Sequence, residues 1–293
     1  MSMRLTDGGI ETVLIFDEGL DLPCFAAFDL LRTPHGTAAL RAYYEPYLTV
    51  AREHGRPFVL SAPTWRSSSD WGERLGYTPD ELAAANRRAV ALMYEIRAAN
   101  PDLEIAIDAP IGPRGDGYVV EEAMPAAEAE RYHAVQIASL DGVDIVTALT
   151  MTYADEAIGI VRAARKAALP VAVSYTVETD GRLPSGQPLG EAIEQTDSEA
   201  APDYFMVNCA HPEHFAAVLD GDWAHRIRGL RANASRKSHA ELDEADTLDS
   251  GDAGELGALY ADLRARLPQL ELLGGCCGTD HRHIAAIAEA WPD

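Results

Sequence analysis

The chain has 293 residues, 47% of them hydrophobic and 24% charged, a balance that can fill a globular core and excludes wholesale disorder. Its net charge of −23, from 24 Lys and Arg against 47 Asp and Glu, repels phosphate backbones and argues against a nucleic-acid partner. No stretch approaches the roughly 18 to 20 apolar residues that span a bilayer, and no apolar run follows Arg4, so neither membrane insertion nor secretion is expected and the protein should be cytoplasmic.

A first short strand is expected around residues 4–7, ending at Asp7-Gly8-Gly9. Helical spacing then covers 35–54, and a β-branched run at 57–62 reads as the second strand. Thr78-Pro79-Asp80 supplies a capping hydroxyl for a helix over 79–99. Strands follow at 104–109, 143–149 and 170–176, with helices over 124–140 and 153–168. Further strands are read at 204–209, 227–232 and 271–275, with helices over 254–267 and 280–290, the last opening at Thr279-Asp280.

The strands are near-continuous apolar runs, as in a parallel sheet buried on both faces. Eight strands alternating with roughly eight helices predict a single (β/α)8 TIM barrel over residues 1–293, rather than an open doubly wound sheet. Two polar insertions, 112–117 and 235–254, follow strands and so belong on the face where barrels carry their sites.

Four cysteines occur, Cys24, Cys209, Cys276 and Cys277, too few for a disulfide framework in a chain this long. Cys209 lies in Val-Asn-Cys at the end of the sixth strand, and Cys276-Cys277 in Gly-Gly-Cys-Cys-Gly-Thr at the end of the last. In a barrel both ends open onto one face, so three thiolates can converge and leave a fourth zinc position for substrate. The residues alone leave another reading open: a Cys-Cys pair can be two small buried residues or a vicinal disulfide. If the metal reading holds, three thiolates on Zn2+ leave a net charge of about −1, which suits holding a substrate thiol as thiolate better than activating water. That chemistry points to alkyl transfer onto sulfur.

Asp7 could accept a hydrogen bond from a substrate ammonium, and Gly8 beside it permits close approach of a ligand, although a plain turn explains both. Asn208 could orient substrate or satisfy backbone groups. His211, His214, His281 and His283 stand at expected helix starts and read as capping or solvated residues, and Cys24 reads as a packing residue. Trp65, Trp71, Tyr175 and Tyr204 could line a pocket.

Taken in order, Asp7-Gly8-Gly9, IGPRGDGY at 111–118, Val207-Asn208-Cys209, RANASRKS at 231–238 and GGCCGTDHRHI at 274–284 resemble the homocysteine S-methyltransferase family. These are zinc-dependent (β/α)8 barrels that include the betaine–homocysteine enzymes. The resemblance implies that Cys209, Cys276 and Cys277 are zinc ligands, that homocysteine sulfur completes the tetrahedron, and that Asp7 contacts the amino-acid end of that substrate. It further implies a small-molecule sulfonium or betaine donor and a direct in-line displacement giving methionine. Two departures stand out. Leu149 lies where family members often carry a substrate-binding Glu, for which Asp108 or Glu178 could substitute, and Ser61-Ala62-Pro63-Thr64-Trp65 replaces a Thr-rich strand end. Leu149 therefore keeps two alternatives in view: another small thiol or selenol as acceptor, or a non-catalytic zinc- or thiol-binding barrel. A homo-oligomer is left open.

Overall fold

The computed structural model describes residues 3–291, and its eight parallel strands close into one barrel in the order β1 to β8. The strands are β1 (Arg4–Thr6), β2 (Phe58–Ser61), β3 (Ile105–Ile111), β4 (Ile145–Met151), β5 (Val171–Tyr175), β6 (Tyr204–Asn208), β7 (Ile227–Ala232) and β8 (Leu272–Gly275). Closure comes from β1 pairing with β8, Arg4 opposite Leu272 and Leu5 opposite Leu273. The expected TIM barrel is the observed one. Among the described residues no helix is long and apolar enough to cross a membrane.

Local chemistry starts the helices where the sequence places them. Thr33 caps Pro34–Glu53 by accepting the Gly36 amide at 3.0 Å, with Pro34 in the first turn, where its missing N–H costs nothing. Thr78 and Glu81 form a reciprocal capping box at the start of Pro79–Ala99. A helix at Leu189–Ala200 was not among the expected ones: its polar run EAIEQTDSEA hides the buried stripe Leu189, Ala192, Ile193 and Thr196.

Two strands run further than their apolar stretches suggest. β3 continues to Ile111 and β4 to Met151, where the pairing of β4 with β5 shifts register between Ala148 and Met151. This bulge turns Leu149 toward the barrel mouth and leaves Thr150 in the left-handed region at φ 64°. Both polar insertions lie over the same mouth. The first carries Gly117 and Tyr118, the second Asp243 from the short helix His239–Asp243.

Candidate metal centre

Cys209 follows β6, while Cys276 and Cys277 follow β8, so β7 lies between the two sources of sulfur. Its end holds both: the Cys209 amide donates to Arg231 O at 3.1 Å and the Cys276 amide to Ala232 O at 2.9 Å. Cys209 takes a φ of 52°, a conformation that non-glycine residues adopt only when their surroundings enforce it. Gly9 makes room for the pair, since a Cβ there would stand 2.5 Å from Cys276 O.

The three Sγ atoms lie within 4.8 Å of one another, and those of Cys209 and Cys277 are 3.9 Å apart. Zinc–sulfur bonds of about 2.3 Å set ligand sulfurs about 3.8 Å apart on a tetrahedron, so this spacing and donor set fit zinc. Cys209 and Cys276 are not separate thiolates but are joined as a disulfide across a Cα–Cα distance of 5.3 Å. Sulfurs held this close bond to each other when oxidised, so the disulfide and the three-thiolate set are alternative states of one cluster. Cys277 is free, and burial pushes its thiol up to about 11, against the pull of a hydrogen bond with Tyr118.

A second layer of side chains braces the sulfurs. The Tyr118 hydroxyl lies 3.5 Å from Cys277 Sγ, and its ring stacks on His239 with centroids 3.9 Å apart. His239 in turn bridges Cys209 O at 2.7 Å and Glu178 Oε1 at 2.8 Å. Asn208 Nδ2 donates to Thr150 Oγ1 at 2.7 Å and reaches Cys276 Sγ at 3.8 Å, while its Oδ1 accepts from the Thr150 amide and the Ser174 hydroxyl. Asn208 thus supports the strained Thr150, and it does not line the cavity above the sulfurs.

Asp7 sits in an internal polar network. Its Oδ1 accepts from Arg231 Nη2 at 2.9 Å and from Thr6 Oγ1 at 3.0 Å, and its Oδ2 from the Tyr43 hydroxyl at 3.0 Å. Arg231 also donates to Ser61 Oγ and to the carbonyls of Gly8 and Gly275, tying β1, β2, β7 and β8 together. Both Asp7 and Arg231 are buried, and neither has its charge to spare in the free protein.

Above the cluster opens a cavity of about 280 Å³, with Cys209, Cys276 and Cys277 in its wall alongside Asp7, Gly8 and Leu149. Trp65 lines it and donates its indole N–H to Leu149 O at 3.1 Å, whereas Trp71, Tyr175 and Tyr204 do not line it. Nor do Asp108 or Glu178. Asp108 is inside the barrel, where Thr147 Oγ1 donates to it at 2.8 Å, and Glu178 is paired with His239. Glu11 and Arg66 are among the cavity residues that escaped the sequence reading. Nothing in a lone Glu or a lone Arg signals a site.

Two of the four histidines at the helix starts act as caps, while His214 Nε2 lies 2.9 Å from Arg236 O. His211 accepts from the Glu213 amide at 3.3 Å, and His283 shares a capping box with Asp280 while meeting Ser250 O at 2.8 Å. Burial, followed by the charge of Arg236, takes His211 down to about 4 and keeps it neutral. Cys24 departs from expectation: it is exposed, on an irregular turn with φ 57° before the cavity residue Phe25.

No curated protein matches the chain. Among solved structures it is similar to the homocysteine methyltransferase MmuM from Escherichia coli. The oxidized form aligns with a TM-score of 0.78 at 18% identity, over 99% of this chain and 97% of that one. The metallated form gives 0.77 at 18% identity over the same shares, and the apo form 0.70 at 18% over 99% and 96%. At that identity the likeness establishes the barrel. The family described as homocysteine S-methyltransferase matches residues 4–291, nearly the whole barrel with its cysteine cluster, and the chain belongs to that family.

Proposed function

We propose that the protein is a zinc-dependent S-methyltransferase that moves a methyl group from a sulfonium or betaine donor to a small-molecule thiol, homocysteine giving methionine. The observation that carries the reading is the convergence of three cysteine sulfurs, within 4.8 Å of one another, in the wall of a cavity at the barrel mouth. Cys209, Cys276 and Cys277 would hold the metal once the disulfide is reduced. Bound there, zinc would lower the pKa of a substrate thiol and keep it as a thiolate.

The chain's own residues arrange the rest. Leu149 and Trp65 give the cavity an apolar wall that limits water beside the sulfurs. Asp116, Asp243 and Glu11 line it as well, and with the chain's strongly negative charge they favour a cationic donor. In the transfer, the bond between the methyl carbon and the donor's sulfur or nitrogen breaks as the carbon–sulfur bond to the acceptor forms, and the donor leaves with one positive charge fewer. Holding the two reactants in line supplies much of the rate.

Metal analysis of the reduced protein tests this reading. About one zinc per chain is expected, with loss of binding in Cys276→Ala and Cys209→Ala. Methyl transfer to homocysteine is then followed by product mass. A reduced wild type that transfers methyl groups without zinc would overturn it. The apolar Leu149 in the cavity wall favours one second reading, a different small thiol or selenol, which wins if homocysteine is inert while another acceptor reacts.

A further inference from the structure

Two charged side chains of opposite sign face the cavity outside any ion pair among the described residues. Arg66 is 6% exposed, sandwiched with Cζ 4.0 Å from the Trp65 ring and 3.9 Å from that of Trp71. Its Nη1 donates to Gly115 O at 2.8 Å, its Nε has no hydrogen-bond partner among the described residues, and it joins no ion pair among them. Most other arginines of the chain are paired, Arg231 with Asp7 being the buried example. Glu11 lies in the short turn Ile10–Thr12, partly buried, hydrogen-bonded to its own backbone amide and likewise in no ion pair among the described residues.

We infer that Glu11 and Arg66 form a clamp for the zwitterionic end of an amino-acid substrate, Glu11 receiving the α-ammonium and Arg66 the α-carboxylate. The inference rests on the proposal that an amino-acid thiol occupies this cavity, and it adds which side chains recognise the end remote from sulfur. The cysteine cluster, Glu11 and Arg66 line one cavity, so a single ligand carrying a thiol, a cation and an anion can satisfy all three. Glu11 and Arg66 sense each other's charge without pairing, and Arg66 senses Asp116 as well, so a ligand in this cavity meets both signs of charge. The guanidinium plane held between two indoles is preorganised to meet a carboxylate through parallel N–H groups. Asp7 is already engaged, its Oδ1 accepting from Arg231 and Thr6 and its Oδ2 from Tyr43, which makes Glu11 the more available carboxylate on this cavity. Asp116 Oδ1 accepts the amides of Tyr118 and Val119, and its charge acts on Arg66 from the same cavity without an ion pair between them.

The electrostatics agree with this geometry. Burial raises Glu11 to about 7, with the charge of Asp7 adding to it, and burial lowers Arg66 to about 10. Both shifts mark charges short of solvation, which a ligand of opposite charge relieves.

The test measures equilibrium binding of three thiols to the reduced, zinc-loaded protein by calorimetry. The probes are homocysteine, 4-mercaptobutyrate, which lacks the ammonium, and 3-aminopropanethiol, which lacks the carboxylate. Wild type is expected to prefer homocysteine to either analogue by about tenfold or more, the worth of one charge-assisted hydrogen bond. Glu11→Gln should erase the preference over 4-mercaptobutyrate while leaving the Kd for 4-mercaptobutyrate within about twofold, and Arg66→Met should do the converse with 3-aminopropanethiol. Arg66→Lys, which keeps the charge, should retain part of the carboxylate preference. Ratios of Kd within one sample are insensitive to any misfolded fraction. Equal binding of all three thiols by wild type would overturn the clamp, as would loss of the ammonium preference in Asp243→Asn instead of Glu11→Gln. A variant that weakens every thiol alike would also overturn it. If the preferences hold while no methyl group reaches homocysteine, the clamp stands and the proposed reaction falls.

Discussion

Asp108 offers a sharp test of the barrel's internal electrostatics. Burial raises its carboxyl to about 7 from an ordinary 3.8; the hydrogen bond from Thr147 and the charge of Arg231 oppose the shift, and Asp7 reinforces it. Between those two pH values the folded protein holds a proton that the unfolded chain has released. Stability therefore falls as pH rises through this window, and the full cost is present above about pH 7. A shift from 3.8 to about 7 corresponds to about 4 kcal/mol, of which about 2.6 kcal/mol accrues between about pH 5 and pH 8. Asp108→Asn keeps an acceptor for Thr147 and removes the titration. Urea unfolding of wild type and variant across that range should show the variant gaining about 2 to 3 kcal/mol relative to wild type as pH rises. A difference that stays constant with pH, or that moves in favour of wild type, would refute the argument.

Arg231→Met should cost about 3 to 5 kcal/mol, because it strands the buried Asp7 carboxylate, and the double variant with Asp7→Asn should recover much of the loss; denaturant midpoints decide it, and no recovery would show that Arg231 acts through packing alone. Burial keeps the Tyr118 hydroxyl protonated, so it stays available to Cys277 at 3.5 Å. Tyr118→Phe should therefore lower zinc affinity by about tenfold in competition with a chelating dye, with no change in unfolding midpoint, and an unchanged affinity would remove Tyr118 from the support of the cluster.

The barrel was legible in the sequence because most strands are near-continuous apolar runs and most connections have helical length. The cysteines were legible because two local motifs fall at strand ends that topology brings to one mouth. What stayed hidden depended on contacts between distant residues. The engagement of Asp7 with Arg231, 224 positions away, ties the carboxylate that looked most available for substrate into an internal network. The role of Asn208 follows from the left-handed turn at Thr150, which arises from a register shift that no residue pattern announces. His239 belongs to a polar insertion, where its contact with Cys209 O is invisible until the loop folds back. Glu11 and Arg66 reach one cavity only through the fold, and standing outside any ion pair among the described residues is a property that exists only in three dimensions.

The pairing of β1 with β8 has a consequence for how the protein matures. Bringing Arg4 beside Leu272 closes a loop of nearly the whole chain, at an entropic cost of about 5 kcal/mol for an unstructured polymer of that length. The last strand delivers two of the three sulfurs, and the seventh delivers the partner of Asp7. A nascent chain that has not yet docked its final strand therefore cannot gather the three-sulfur cluster. Assembly of the cluster becomes a late event that reports a finished barrel, so a metal that needs all three sulfurs could be held only by chains already folded.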